Sequence, residues 1–464
     1  MGNNTSNDSS NKNFNDRIGI IGAGPAGIAA AWLLMKKGYR NITILEARNE
    51  VGGKCRTVTY SDSEGVTNNY ELGAEYITYA YDLIFEFMKE MGEESSTAGT
   101  ILTILGNGKF VDAAKSQPIY KAFPALFRYL RVIRKYKQTI ANPSNAGIAD
   151  DPFLSQSSEE FISQNKLEAL QPLFLVKQFG YGSFDKFPAI HLMRTLPSST
   201  ITRIIIEQIP LLRFFWKRPI ASLADNGTQG LFKKMAEKIE EKKAETFPEM
   251  KAILLGEKVE SIWKKNPDQD SSPLCVKSNK ETHEFDKVIC AVPPNIVKSL
   301  VTFLPLELKE LMDKFKYNPY YVACIDPDYN LETAYYQNQE LKPGDPVQFS
   351  KRWPSSPITA YGYNWVEESD FQPGNEVGAQ ILEEKLKVYL EANMRINSHT
   401  NLPGAVAWND YHPHVPIEHF QAGIFDKLET YQGIDGIYLA GDGMSMESME
   451  YSCQYSKQLV DQYF

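Results

Sequence analysis

The chain has 464 residues and a formal charge of −9, with 42% apolar and 23% charged residues. That is the composition of a soluble globular protein with two or more structural units, and the acidic balance excludes a general nucleic-acid binder, which would be basic. Five scattered cysteines (Cys55, Cys275, Cys290, Cys324, Cys453) in no C-x-x-C spacing, and histidines without ligand spacing, suggest neither a disulfide framework nor a metal site. They point instead to a reducing, cytoplasmic compartment.

Residues 1–15 are Asn/Ser-rich, lack the apolar core of a secretory signal and read as a disordered polar tail. Met1-Gly2 with Ser6 also fits the myristoylation pattern M-G-x-x-x-[ST]. Residues 17–21 predict a buried strand, and Gly22, Gly24 and Gly27 form G-x-G-x-x-G after it. Residues 28–37 continue as an Ala/Leu-rich helix, residues 41–45 as a second apolar strand, and Glu46 stands at its end, followed by Ala47. Each residue type has a task in dinucleotide binding. Gly22 permits the tight turn, Gly24 lets a pyrophosphate approach the backbone, and Gly27 lets helix and strand pack closely. The helix N-terminus, with Pro25 and Ala26 in the turn, offers unpaired N–H groups and a positive dipole end to phosphate. Glu46, about 20 residues on, is placed to accept hydrogen bonds from a ribose.

Gly52 and Gly53 in VGGKCRT allow a ligand close to the backbone, and Arg56 adds a phosphate-seeking cation. Residues 70–76, YELGAEY, predict a short strand, and residues 80–91 a helix. Residues 121–140 alternate aromatics with Arg128, Arg131, Arg134, Lys135 and Lys137 at helical spacing, and residues 209–220 have the same character. Two readings are open for these segments: amphipathic helices with a solvated basic face, or a membrane-touching surface through which an oily substrate enters. Their charges are too frequent for a membrane span. Residues 178–188, QFGYGSFDKFP, form a Gly/aromatic loop that either lines a cavity or packs as a turn. Residues 225–239 predict a helix with a Gly-rich start, and residues 258–263 and 285–292 predict strands around a hairpin-like loop at 266–273. Residues 348–365 are aromatic, with Tyr361, Tyr363 and Trp365 on one face of a strand. Residues 436–441 predict a short buried strand, followed by Asp442 and a terminal helix from about Met449.

IGAGPAGIAAAWLL…ILEARNEVGGKCRT, ELGAEY, DNGTQGL, FDKVICAVPP and GIYLAGDGMSMESMEYS, in that order, resemble the flavin-containing amine oxidase superfamily. The resemblance implies an α/β fold in which a Rossmann-like FAD-binding domain is interleaved with an α+β substrate domain of mixed sheet and helices. It assigns FAD to Gly22, Gly24, Pro25, Ala26, Gly27, Glu46, Ala47, Gly53, Lys54, Arg56, Gly73, Ala74, Glu75, Tyr76, Val259, Gly441, Asp442, Met449 and Glu450. Residues 16–92, 222–296 and 403–464 would form the FAD unit, and residues 93–221 and 297–402 the substrate unit, helical over about 115–221. FGYGSFDKFPA, LADNGTQGLF, YHPHVP and the ending YSCQYSKQLVDQYF look like the flavin-dependent polyunsaturated fatty acid isomerases within that superfamily. The strand segment PYYVACID carries no Lys, although amine oxidases usually hold a water beside flavin N5 with one. No Arg lies between Arg56 and Arg128, so a free acid's carboxylate would have to meet Arg128, Arg131, Arg352 or another cation.

The expected chemistry is internal redox: a hydride passes from an activated C–H to flavin N5 and returns to a different carbon. The protein supplies orientation and a dry pocket, with aromatic faces stabilising a delocalised cation. Tyr76, Phe179, Tyr181, Trp353, Tyr361, Tyr363 and Tyr411 are the candidate walls. The alternatives are net oxidation, by an amine oxidase or a carotenoid-type desaturase, and a non-catalytic FAD-stabilised interaction protein. The expected partner is a small lipid, with peripheral membrane contact through the basic aromatic helices.

Overall fold

The computed structural model describes residues 14–61, 65, 67–97, 100–105, 109–112, 118–174, 180–201, 221–269, 272–318, 320–325, 334–338, 346–351, 358–363, 388, 405–408 and 410–464. β1 (Ile18–Ile21) is buried along its whole length, and β2 (Ile42–Glu46) runs parallel to it with Ile18 opposite Ile42. Such continuous apolar sequences suit strands covered on both faces. The sheet has five parallel strands in the order Ile253–Leu255, β2, β1, Lys287–Cys290 and Ile437–Leu439. It is therefore assembled from the start, middle and end of the chain.

α1 (Pro25–Lys37) is the crossover between β1 and β2. It begins three residues before the predicted 28–37, because proline at the first turn gives up only an N–H that has no helical partner. Ala26 through Met35 are buried, and Gly38, at φ 110°, ends the helix. The C-terminal helix Met449–Tyr463 lies against α1, with Ser456 Oγ donating to the Ala26 carbonyl at 2.9 Å. α2 (Asp82–Met91) follows the first portion of the chain.

A second sheet has seven strands in the order Ala405–Trp408, Tyr320–Ile325, Ile358–Tyr363, Gln348–Lys351, Ala334–Asn338, Thr100–Leu105 and Lys109–Asp112. Its pairs are antiparallel except Ala334–Asn338 beside Thr100–Leu105. The helical part includes α3 (Ile119–Lys135), whose buried Tyr129 meets Phe161 and Phe174 edge-on at 6.4 and 5.5 Å.

The fold is thus α/β with a mixed-sheet companion. Three local expectations are corrected and one is met in part. The strand predicted over 70–76 is Thr67–Glu71, because residues 72–74 bond sideways to Arg56 and Lys54 rather than continuing a ladder. The helix predicted over 121–140 breaks at Tyr136 into α3 and Lys137–Ala141. The strand expected around Tyr361 and Tyr363 is present as Ile358–Tyr363, beside Gln348–Lys351, and Trp365 lies outside the described residues. Ala405–Trp408, grouped by sequence with the cofactor unit, is the edge strand of the seven-stranded sheet, paired to Tyr320–Ile325.

Candidate cofactor and active site

The turn after β1 is built from missing side chains. Gly22 sits at φ +102°, and a Cβ on Gly27 would fall 2.0 Å from the Gly22 carbonyl oxygen. A Cβ on Gly53 would come 2.8 Å from Gly24 Cα, so the loop of VGGKCRT lies directly on the glycine turn. The first turn of α1 has no side-chain cap and no acidic residue. Glu46 closes the turn from below: its Oε2 accepts from Ala23 N at 2.7 Å and its Oε1 from Arg48 N at 2.8 Å. An uncapped helix N-terminus beside glycines at close approach fits the phosphates of a dinucleotide.

Separate motifs brace this cradle. Leu72 N donates to the Arg56 carbonyl at 2.8 Å and Ala74 N to the Lys54 carbonyl at 3.0 Å. Here Gly73 is obligatory, since a Cβ would be 1.9 Å from Lys54 O. From DNGTQGL, Thr228 N donates to the buried Glu71 at 2.9 Å, Thr228 Oγ1 to Ala74 O at 2.8 Å and Gln229 Nε2 to Val51 O at 2.8 Å. Val259 is buried at the start of the strand Val259–Lys264. Ala47 is exposed, and Arg56 lies 3.7 Å from Glu50.

The loop after Ile437–Leu439 carries the charges. Lys54 Nζ reaches Asp442 Oδ2 at 2.6 Å and Glu447 Oε1 at 2.8 Å, and lies 4.7 Å from the centre of the Tyr411 ring. Burial opposes the charge on Lys54, but the two carboxylates outweigh it and hold its affinity for the proton above the ordinary value. Burial would likewise raise Glu447, yet His412 and Lys54 bring it down to about 2. Asp442 is raised, by burial first and by the neighbouring Glu447 charge. His412 Nδ1 is 2.7 Å from Glu447 Oε2 but out of line for a hydrogen bond, and neither ring nitrogen has another partner among the described residues. Burial pushes the His412 imidazole below its ordinary range. Its backbone is left-handed, at φ 49°.

His412 is also the hub of an aromatic chain. Its ring is 4.7 Å from Tyr181 and 4.6 Å from Tyr411; Tyr411 stacks on Tyr320 at 4.5 Å and 10°, and Tyr320 is 6.1 Å from Tyr361. Tyr361 donates to Glu75 Oε2 at 3.1 Å, where Ser350 Oγ also donates at 2.8 Å to Oε1. Gly180 makes room for this hub. A Cβ there would sit 2.4 Å from the His412 ring, and Gly180 O accepts from Asn318 Nδ2 at 2.5 Å. The segments FGYG and YHPH are thus interlocked.

Of the candidate walls, the structure brings Tyr181, Tyr361 and Tyr411 into one chain, and Tyr76 is near enough to Tyr361 to act on its ionisation. Phe179, Trp353, Arg352, Gly2 and the whole second basic segment, 209–220, lie outside the described residues, as does the side chain of Tyr363. Sequence reasoning missed Tyr320, His412 and Glu447; the available signal was YHPHVP, read for its likeness rather than for its imidazole. At the helix start, Ser448 caps Tyr451 N at 3.0 Å, beside Met449, which is buried. Glu450 spends its carboxylate on α2, accepting from Leu83 N and Ile84 N at 2.9 Å each. Only its backbone is left for the assigned cofactor role. Burial lifts Glu450 to about 7. Arg128, one of the cations considered for a carboxylate, caps a helix end instead, donating to Asn165 O at 2.9 Å and Lys166 O at 2.5 Å.

Residues 25–325 match the model of the flavin containing amine oxidoreductases, so the chain belongs to that family and is an FAD-dependent enzyme. Among individual proteins, it is 28% identical over 212 residues to the polyenoic fatty acid isomerase of Ptilota filicina, a match covering 40% of this chain and 41% of that one. It is 26% identical over 156 residues to human amine oxidase [flavin-containing] B, covering 33% and 28% of the two chains. The matched stretches thus span less than half the length of either relative. The fold is also that of the CLA-producing fatty acid isomerase from P. acnes, with a TM-score of 0.80 at 23% identity over 97% of this chain and 99% of that one. Putrescine oxidase bound to putrescine gives a TM-score of 0.64 at 15% identity, over 96% of this chain and 98% of the other.

Proposed function

We propose that the chain is an FAD-dependent isomerase of polyunsaturated fatty acids or related lipids that moves a double bond into conjugation. The observation that carries this reading is the buried chain Tyr181–His412–Tyr411–Tyr320–Tyr361, which begins at the charged loop of Asp442 and Glu447 and ends on the seven-stranded sheet. Bound FAD supplies a hydride acceptor at N5 that can return the hydride to another carbon, so the reaction needs no outside oxidant. The glycine turn, Gly53, Lys54, Arg56, Glu46, residues 73–76, Val259, Gly441, Asp442, Met449 and Glu450 would hold it. The tyrosine faces would stabilise positive charge left on the substrate, and their burial would exclude the water that traps it. Tyr361, held by Glu75, and Tyr181, whose hydroxyl accepts from Glu447 N at 3.0 Å, would fix the walls. The strand Tyr320–Ile325 carries no Lys, which supports isomerisation. The amine oxidase relatives favour the second reading, net oxidation. Peripheral contact with a membrane from the cytoplasmic side belongs to the same proposal, and among the described residues no helix is long and apolar enough to cross one.

Incubating the yellow holoenzyme with linoleate should raise the ultraviolet absorbance of a conjugated diene without oxygen uptake. Oxygen consumption with release of peroxide would overturn isomerisation in favour of net oxidation.

A further inference from the structure

α3 divides its aromatic residues between two faces. Ala125, Tyr129 and Ile133 are buried, and Tyr129 donates to the Leu196 carbonyl at 3.0 Å. The outer face is not simply basic. Tyr120, Phe123 and Phe127 are exposed by 71%, 68% and 66%, a concentration of large apolar side chains on one helix. Spacings of three and four residues place them on a single stripe. Arg131 and Arg134, both exposed, continue that stripe at the same spacings. The stripe is aromatic over its first two turns and cationic over its last two, with exposed Lys121 at its flank.

Charge along this stretch of the chain is segregated. From residue 113 to residue 149 the sequence has seven Lys and Arg and no Asp or Glu, within a chain of net charge −9. Exposed aromatics beside fixed cations match the two layers of an anionic bilayer surface: rings at the boundary of headgroup and acyl chain, guanidinium groups on the phosphates. A second copy of this chain, acidic overall, offers charge attraction but no reason for three open rings on a helix that already has a packed inner face.

We propose that the outer stripe of α3 docks the protein on an anionic lipid membrane, laying the helix in the interface with Phe123 and Phe127 inserted and Arg131 and Arg134 on the headgroups. This deepens the lipid-isomerase reading and takes its biological sense from it. Binding is nevertheless measured without turnover, so the two readings fail separately: a protein that isomerises linoleate but ignores vesicles defeats only the docking.

The test is co-sedimentation of the holoenzyme with vesicles of phosphatidylcholine alone or mixed with phosphatidylglycerol. Partition should favour the anionic vesicles and weaken with salt. Arg131→Gln with Arg134→Gln should lower it roughly thirty-fold on anionic vesicles, and leave the residual binding to neutral ones unchanged. Phe123→Ser with Phe127→Ser should lower it at least roughly tenfold on both. Unchanged far-ultraviolet circular dichroism and flavin content would show that these exposed positions leave the fold intact. Equal partition of the parent to both vesicle types would overturn the proposal. So would indifference to either double variant, or light scattering showing a dimer that the phenylalanine variant dissolves.

Discussion

The glycine turn and the charged aromatic cluster solve opposite problems with opposite means. The turn needs backbone at close range, so Gly22, Gly27, Gly53 and Gly73 specify it by what they lack. The cluster needs polar and aromatic groups held in a dry interior, so it draws Lys54, Tyr181, Tyr320, Tyr361, Tyr411, His412 and Glu447 from six separated parts of the chain. The first is local and rigid by sterics. The second depends on each charge finding its partner, and is the more fragile of the two.

The largest expected effect falls on that partnership. Replacing Lys54 by Met would leave Asp442 and Glu447 together in the interior with one cation fewer. Breaking a buried pair this way costs about 3–5 kcal/mol; the partial exposure of Lys54 puts it at the lower end. Urea unfolding of Lys54→Met should show that loss, and Lys54→Arg should recover much of it. A loss under about 1 kcal/mol would mean the cluster is hydrated and far less fragile than the turn.

Two carboxylates three residues apart sharpen the contrast through pH. Glu447 is brought to about 2, so its contribution is present above its ordinary value of 4.5 and is lost as the pH falls. Glu450, lifted from 4.5 to about 7, does the reverse. The native state holds its proton more tightly than the unfolded chain, so its contribution is complete below pH 4.5 and is lost as the pH rises through 7. The difference amounts to about 3 kcal/mol. Glu450→Gln keeps one acceptor oxygen, for Leu83 N or Ile84 N but not both, and cannot ionise; the lost bond is an offset that does not vary with pH. Its stability relative to the parent should therefore climb between pH 4.5 and 7 and level off above. A flat difference across that range would show that Glu450 is ionised in the native state at its ordinary pKa.

At the turn the expected effect is smaller in stability and plainer in ligand. Gly27→Ala forces a methyl group to within 2.0 Å of the Gly22 carbonyl, so the strand and helix must separate. Overpacking of this kind costs about 1–3 kcal/mol. The purified protein should carry less flavin per chain, measured by visible absorbance against protein. Full flavin content with unchanged melting would remove the cradle from the account.

The same division explains what the sequence made legible. A tight turn between a buried strand and an apolar helix leaves a local signature, and residues 18–46 fold as that signature requires. The mixed sheet was less legible because its neighbours are distant: Ala334–Asn338 pairs with Thr100–Leu105, and Ala405–Trp408 joins Tyr320–Ile325 across more than 80 residues. His412 gives no periodic signal at all. Its role as a hub follows from a left-handed backbone and from Gly180 yielding space, and neither can be read from spacing. α3 was legible only in part. Its sequence left open whether the aromatics face the core or the outside, and the structure divides them: Tyr129 is inward, whereas Tyr120, Phe123 and Phe127 share the outward face with the arginines.

Tyr361→Phe asks whether the aromatic end is a wall or a polar network. The Tyr361 hydroxyl is buried and donates to Glu75, and it also lies 3.3 Å from the Glu71 carbonyl oxygen. Glu75 keeps the one Ser350 hydroxyl as a donor, within 2.8 and 3.0 Å of its two oxygens, so phenylalanine does not strand it. The loss should be about 1.5 kcal/mol, the low end for a hydrogen bond to a charged group, because the carboxylate keeps another donor. Flavin content should not change, because no part of the glycine turn is touched. If the ring face is what the substrate meets, turnover of linoleate should survive within a few-fold, whereas Tyr361→Leu, which removes the face, should lower it much further. Equal losses in the two variants would assign the function to the hydroxyl and its carboxylate. The aromatic chain would then be packing around a proton-bearing group, and the contrast with the glycine turn would be one of charge alone.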